Sequence, residues 1–253
     1  MRSDHDTLLA VYGESRATPT DGRTLSKNTI PWRRFLGEAV LIVASVYLAI
    51  VLEGSSAERE RRTEAIAALT TLQAELELDQ ADAQEILGLQ EEQGRSNERI
   101  HAWLSHPLSV PSDSFSAALL HVLTNNRTMF PRKSSWTTMV SEGQLSVLGD
   151  PELVGRLANL YEHSNVRLEY NGARYDDTTQ DMLRGRVPYV WDVEGNRFLV
   201  TDTAAIRTFG NQMLQVERQA RGYRTLLATW SAEVADVQTK VDSYLQRHGG
   251  GGT

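Results

Sequence analysis

IRTFGNQMLQVERQARGYRTLLATWSAEVADVQTKVDSY, residues 206–244, carries the strongest periodic signal in the chain. Ile206, Phe209, Met213, Val216, Ala220, Tyr223, Leu227, Trp230, Val234, Val237, Val241 and Tyr244 follow one another at alternating steps of three and four. Steps averaging 3.5 residues keep side chains on one face of an α-helix, so the stretch reads as one long helix with a coiled-coil or long-bundle seam. Phe209, Met213, Val216, Tyr223, Leu227, Trp230, Val234 and Val237 are the centre of that seam and the candidate contact residues of the helix. Asp202 or Thr203 caps its start, and the glycines from Gly249 end it and form a flexible tail.

A second long helix precedes it. Ala57 to Leu104 is rich in Ala, Glu, Gln and Leu and free of proline, with apolar positions at Leu69, Leu72, Leu76, Ala83, Ile86, Ile100 and Leu104. The same stripe carries Asp79, Gln90, Gln93 and Asn97. Such a seam is wet, partly exposed, or hydrogen-bonded to a partner, and periodicity does not choose among these. Glu53 to His106 holds twelve acids and five bases, whereas Thr203 to the end holds six bases and four acids. Opposite charge suits antiparallel partner helices and equally suits two independently solvated faces. Two helices of about 45 residues would each extend roughly 70 Å, giving an elongated stalk.

Shorter elements fill the interval between them. Pro107 and Pro111 end the first long helix, and Ser112 caps a helix over Asp113–Thr124. Ser134 or Ser135 caps another containing Trp136, Met139 and Val140, which Gly143 ends. Asp150-Pro151-Glu152 starts a helix running to about Arg184. Val187–Asp192 and Arg197–Val200, flanking Glu194-Gly195-Asn196, read as a short β-hairpin.

Before all of this lies FLGEAVLIVASVYLAIVL, Phe35 to Leu52, eighteen residues with one formal charge, Glu38. A helix of that length spans roughly 27 Å, enough to cross a bilayer. Trp32, Arg33 and Arg34 provide an interfacial aromatic and a basic anchor at its start. Arg2, Arg16, Arg23, Lys27, Arg33 and Arg34 on the N-terminal flank outweigh Arg59, Arg61 and Arg62, which alternate with acids. This bias places the N-terminus in the cytoplasm and the large domain outside. Ser55-Ser56-Ala57 resembles a signal-peptide cleavage site and is the competing reading. The expected organisation is a cytoplasmic arm over 1–34 with a docking point at Leu8–Tyr12, a transmembrane helix over 35–52, a helical domain over 53–248 and a tail over 249–253. The fold class is all-α, with one short hairpin.

The composition excludes several kinds of chemistry. A net charge of −7 disfavours nucleic acid as a partner, and the absence of cysteine rules out disulfides and thiolate metal sites. His101, His106 and His121 are not spaced as metal ligands, and Asp176, Asp177 and Asp181 lack the glycine and spacing of a calcium loop. No phosphate-binding loop or nucleophile elbow is present, so no cofactor and no reaction are expected. Trp103, Trp136, Tyr161, Tyr170, Tyr175, Trp191, Tyr223 and Trp230 are core, partner surface or the lining of a pocket. The triplet Asn126-Arg127-Thr128 matches a glycosylation motif. Glu38 is either a boundary residue paired with Arg34 or a recognition point for a partner helix, with ion conduction a third reading.

Two stretches resemble an uncharacterised family of bacterial single-pass membrane proteins. One is Gly37-Glu38 through Leu52 followed by AERERRTEAIAALTTLQAELELD; the other is SSWTTMVSEGQLSVLGDPELVGRLANLYE, Ser134–Glu162, with Trp136, Gly143, Leu145, Leu153, Leu157 and Tyr161 at its marked positions. The resemblance implies the same topology in a bacterial inner membrane, with the N-terminus cytoplasmic and the domain in the periplasm, and carries no activity. The expectation is therefore a non-enzymatic, membrane-anchored interaction protein whose partners are the lipid bilayer and other membrane subunits or further copies of itself. The alternative is a periplasmic sensory or ligand-binding bundle that signals through its anchor to a separate transducer.

Overall fold

The computed structural model of the chain describes residues 32–106 and 110–249. Side chains are described throughout these ranges except at 32–40, 42 and 49–55. Expectations for Leu8–Tyr12, for Pro107 and for the tail after Gly249 lie outside the described residues, as do those for the side chains of Trp32, Arg33, Arg34 and Glu38.

The structure is all-α apart from one two-stranded sheet. Helix α1 is Trp32–Leu104, α2 is Ser112–Thr124, α3 is Ser134–Ser141 and α4 is Pro151–Asn159. A π-helical turn over Leu160–Ser164 leads into α5, Asn165–Gly185, followed by a single turn, α6, at Val187–Val190. Strands β1 (Trp191–Asp192) and β2 (Arg197–Phe198) pair antiparallel, and α7, Thr203–His248, ends the described chain. The chain divides into two compact units within α1, Met1–Glu53 and Gly54–Thr253. Among the described residues no helix is long and apolar enough to cross a membrane. In the first unit Leu41, Val43, Val46, Tyr47 and Leu48 have described side chains, and all are exposed.

The second unit is built on the seam of α7. Eleven of its twelve periodic positions are buried, the exception being the half-buried Ala220. Those from Phe209 onward pack with Ala65, Leu69, Leu72, Leu76, Ala83, Ile86 and Ile100 of α1 in one core. Helices α1 and α7 run antiparallel: Arg62 meets His248 at 3.0 Å, Gln73 donates to Asp242 at 2.8 Å, and Arg224 donates to the Gln90 carbonyl at 3.2 Å. Three aromatic seam residues each carry a polar group to a different element. Tyr244 donates to the Leu148 carbonyl at 2.8 Å, Trp230 to Asn165 Oδ1 at 2.7 Å, and the Tyr223 hydroxyl accepts from the Met129 N–H at 2.7 Å. A large ring supplies apolar area while its polar edge fixes where a neighbour sits.

Several local expectations are corrected. The N-cap of α2 is Pro111, and Ser112 is its first residue without a capping bond. Neither Ser134 nor Ser135 caps α3 from within; Glu75 of α1 does so from outside, accepting from the Ser134 hydroxyl and, at 3.3 Å, from the Ser135 N–H. Val140 is exposed. The helix expected from Pro151 to Arg184 is divided by the π turn, which adds one residue to the cycle and brings Leu160 and Tyr161 both inward. The hairpin is shorter than its apolar pattern suggests, because Val187–Val190 form a helical turn with Pro188 near its start, where the missing N–H costs nothing. Trp191 and Phe198 remain opposed in register. Their rings close on Phe115 at 4.5 and 5.9 Å, and Trp191 donates to Ser116 Oγ at 2.8 Å. Asp150 and Asp202 accept from Leu153 and Ala204 as N-caps, both at 2.9–3.0 Å.

The seam separates inside from outside sharply enough to test on a single helix. Leu227 is fully buried, whereas Leu214 of the same helix is 36 % exposed. Leu227→Ala is expected to cost about 2–5 kcal/mol of unfolding free energy in denaturant titration. Leu214→Ala is expected to change it by about 0.5 kcal/mol or less.

Candidate functional site

The polar positions of the α1 stripe are buried within the second unit; Asp79 and Gln93 bond groups of the same chain, whereas the Gln90 carboxamide and Asn97 Oδ1 are buried without a hydrogen-bond partner. Gln73, Asp79, Gln90, Gln93, Ser96 and Asn97 are all 9 % exposed or less. Ser231, the small polar residue beside Trp230 on α7, accepts from Gln80 at 2.9 Å and from Gln84 at 3.3 Å. Gln93 donates to the His121 and Asn125 carbonyls at 3.4 and 3.1 Å, satisfying the C-terminal end of α2. Its Oε1 accepts from the Tyr175 hydroxyl at 3.3 Å, with Gln90 alongside.

A strap, residues 125–133, runs between α1 and α5 without regular secondary structure. Its backbone lacks helix or sheet partners, so its polar groups need side chains or water. Along α1, Glu85 pairs with Arg127, Asp82 with Arg132 at 3.0 Å, and Asp79 with Arg132 at 2.5 Å. Asp79 also accepts from the Arg132 N–H at 3.0 Å. Along α5, Thr179 bonds Asn126, Asp176 accepts from Thr128 at 2.9 Å, and Glu169 pairs with Lys133 at 2.7 Å. Gly172 lets the strap lie close, since a Cβ there would stand 3.2 Å from Thr128 Cβ. Met129 and Pro131 turn inward, while Phe130 is 70 % exposed.

The electrostatics follow from this burial. Desolvation raises Asp79 above the ordinary aspartate range, and the Arg132 hydrogen bonds offset only part of that effect. Burial raises Asp176 in the same way, opposed by Thr128. It also raises the Tyr161 hydroxyl and pushes Tyr175 and Tyr223 up to about 12, keeping all three phenols neutral. Burial lowers His101, while Glu217 on α7 pulls it the other way. Trp136 stacks on Tyr161 at 5.0 Å and donates to Glu162 at 3.0 Å. These groups are bonded singly into the packing. Among the described residues no three of His, Asp or Glu are placed to hold a metal ion.

The seam residues Phe209, Met213, Val216, Tyr223, Leu227, Trp230, Val234 and Val237 are all buried in the core of their own domain. Of the aromatics, Trp136, Tyr161, Tyr175, Trp191, Tyr223 and Trp230 are buried, Trp103 is half-buried, and Tyr170 is exposed beside Arg174. Open grooves lie toward the Leu104 end of α1. One, of about 910 Å³, lies between α1 and α2 and carries both signs of charge, Glu92 and Glu98 with Arg95 and Arg99. Another, of about 660 Å³, lies between α6 and the start of α7 around Arg186, Tyr189 and Phe209. A third, of about 450 Å³, is formed by His101, Leu104 and Ser105 against Thr203–Leu214. Neither the strap nor the grooves can be read from residue periodicity. In the sequence the strap reads as a loop through Asn126 and Pro131, without its partners, and the side chains of Asn126, Arg127 and Thr128 hold it to α1 and α5.

Two substitutions separate the roles of the buried Asp79 and the half-buried Asp176. Arg132→Ala strands Asp79, whose side chain is 1 % exposed. The expected cost at neutral pH is about 3 kcal/mol, at the low end for a buried pair because Arg132 is itself partly hydrated. For Asp176 the folded state holds its proton more tightly than the unfolded chain does. Its contribution to stability is therefore full below the ordinary aspartate value and is lost as pH rises through the raised folded value. Asp176→Asn is expected to flatten the stability profile between about pH 4 and 7, measured by denaturation midpoints across that range.

No curated protein and no solved structure matches the chain. A family model, described as a family of unknown function (DUF6090), matches residues 38–188. That match takes in α1 from Glu38 onward, the strap with both of its acidic rails, the stacked Trp136–Tyr161 pair and α5. It covers more than half of the sequence, and the chain belongs to this family of unknown function.

Proposed function

We propose that the chain is a non-enzymatic, membrane-anchored helical interaction protein. In this reading residues 35–52 hold it in the bacterial inner membrane with the N-terminus cytoplasmic. The helical domain projects into the periplasm as an accessory subunit of a membrane complex or as part of a homo-oligomer. The observation that carries the reading is the first unit's described face: Leu41, Val43, Val46, Tyr47 and Leu48 are 54–71 % exposed within eight residues. A contiguous apolar surface of that kind is unfavourable in water and calls for lipid or protein against it.

Two further features support an interaction role for the domain. Its long seam is satisfied internally, so a partner would meet the outer faces. Those faces carry large exposed rings, Phe130 on the strap at 70 %, Tyr170 on α5 at 62 % and Tyr189 on α6 at 72 %. Aromatic residues on rigid elements are the usual anchors of protein interfaces. The perturbed ionisable groups are dispersed through the packing rather than gathered around a groove, which supports a binding role over a catalytic one.

The absence of cysteine makes topology straightforward to measure. The full chain is expected to stay in the membrane pellet through alkaline carbonate extraction. In intact cells a membrane-impermeant maleimide is expected to label Ser141→Cys, on an exposed position of the domain, and to leave Ser26→Cys in the arm unlabelled. Complete release by carbonate would remove the anchor, and the reverse labelling pattern would invert the topology. A photocrosslinking residue at Phe130 or Tyr170 is expected to capture a discrete partner band in membranes, which the same residue at the exposed Asp113 does not.

A further inference from the structure

The outer ridge of α5 carries two cations that the chain does not neutralise. Val166, Arg167, Tyr170, Ala173, Arg174 and Asp177 are all exposed, on the side of α5 opposite the buried Leu168, Gly172 and Tyr175. Arg167 and Arg174 stand two turns apart with Tyr170 between them, and Arg174 lies over its ring at 6.0 Å. Neither arginine makes an ion pair among the described residues. The exposed Phe130 borders the ridge, because its strap neighbours Thr128 and Lys133 bond Asp176 and Glu169. Large apolar side chains flanked by unpaired cations fit a partner surface that has apolar hollows and negative charge.

The outer face of α1 has that chemistry. Ala74, Glu77, Leu78 and Ala81 fall at i, i+3, i+4 and i+7, the four positions that bound one hole in helix packing. The two alanines keep the hole open, Leu78 gives it an apolar wall, and Glu77 makes no ion pair among the described residues. All four are exposed, as Tyr170 is, so the chain's own tyrosine does not fill the hole. The strap sets the relative height of ridge and hole. Lys133 joins Glu169 while its neighbours Arg132 and Ser134 join Asp79 and Glu75, and Thr128 joins Asp176 while Arg127 joins Glu85. Helices α1 and α5 therefore run in the same direction, and Tyr170 is level with the hole.

We propose that the α5 ridge docks on α1 of a second copy of this chain, with Tyr170 as the knob in the Ala74–Glu77–Leu78–Ala81 hole and Glu77 between Arg167 and Arg174. The inference rests on the anchored reading above, because two copies held in one membrane stand in the same direction and at the same height. Under those terms a contact of α5 with α5 would set each arginine against its own counterpart, and like charges oppose it. Further along the α5–α1 contact, Asp177 comes level with Gln84 and Glu85, and Glu85 is already paired with Arg127 of its own chain. Confinement to a bilayer raises the effective concentration of the two surfaces, so a contact of a few helical turns is enough to hold them together.

The test uses the full chain in native membranes under mild oxidation, where every disulfide must come from an introduced cysteine. Tyr170→Cys combined with Ala74→Cys or with Ala81→Cys is expected to give disulfide-linked multimers on non-reducing gels. Tyr170→Cys alone is expected to stay monomeric, as is Tyr170→Cys with Gly88→Cys, which lies about 20 Å beyond Ala74 along α1. Glu77→Arg is expected to abolish the crosslink of the Tyr170→Cys, Ala74→Cys chain, and the addition of Arg167→Glu and Arg174→Glu to restore it, a recovery that a misfolded variant would not show. Crosslinking by Tyr170→Cys alone, no multimer from either cysteine pair, or undiminished crosslinking in Glu77→Arg would each overturn the proposal. The contact and the anchor fail separately. Multimers from a chain that carbonate releases would uphold the contact and remove the anchor. An anchored chain whose Tyr170 photocrosslinks only to a different protein would overturn the contact and leave the interaction role standing.

Discussion

The domain depends on one constraint: the half-buried strap at residues 125–133 has no helix or sheet to satisfy its backbone, so neighbouring helices must do it. Helix α1 answers with carboxylates at Glu75, Asp79, Asp82 and Glu85, spaced so that one stripe faces the strap and the start of α3. Helix α5 answers from the other side with Glu169, Asp176 and Thr179. The strap then presents the Met129 N–H to Tyr223, which ties it to the seam of α7. Three helices far apart in sequence are thus brought into register by one irregular segment. The excess of acid in the first half of the domain has a local use here, since Arg127, Arg132 and Lys133 all lie on the strap.

The polar interior of α1 is understandable in the same terms. An all-leucine seam would bury more apolar area, but antiparallel helices joined only by apolar contacts can slide by a turn at little cost. Gln80 and Gln84 sharing Ser231, and Gln73 reaching Asp242, give the α1–α7 pair a register that a one-turn slip would break. Polar residues in helix seams serve this purpose in coiled coils, at some cost in stability. In this chain the arrangement is graded. From Ala65 to Ile86 the inward positions of α1 are mostly apolar, and from Gln90 to Asn97 they are polar. Burial free energy from α1 is accordingly concentrated toward the Arg62–His248 end.

How much of this is legible in the sequence differs by element, for physical reasons. The seam of α7 is legible position by position, because an uninterrupted 3.5-residue period over so many turns arises only where one face of a long helix is covered. The two long helices and the caps at Asp150 and Asp202 follow from equally local rules. The fate of Asp79, Gln90, Gln93 and Asn97 is not local: the groups that surround them lie tens of positions away, and a stripe pattern does not encode a partner. The π turn at Leu160–Ser164 is invisible for a related reason, since a single inserted residue shifts the apolar phase without any residue type that signals it. The hairpin reads too long because Val187, Tyr189 and Val190 have strand-like chemistry while Pro188 suits the first turn of a helix. The seam of α7 reads as a coiled-coil or long-bundle surface, and the helix that covers it belongs to the same chain.

That internal use of the seam shapes where function can reside. A bundle whose two longest helices satisfy each other leaves its outer faces and its loosely filled end for recognition. The grooves lie at the Leu104 end of α1, where that helix contributes carboxamides and a histidine to the interior instead of leucines. Burying the carboxamides of Gln90, Gln93 and Asn97 costs free energy, and Gln93 offsets part of it by bonding the C-terminal end of α2. The same argument does not extend to the Arg62–His248 end, where Val234, Val237, Val241 and Tyr244 close on Leu69, Leu72 and Leu76, and the interior is mostly apolar.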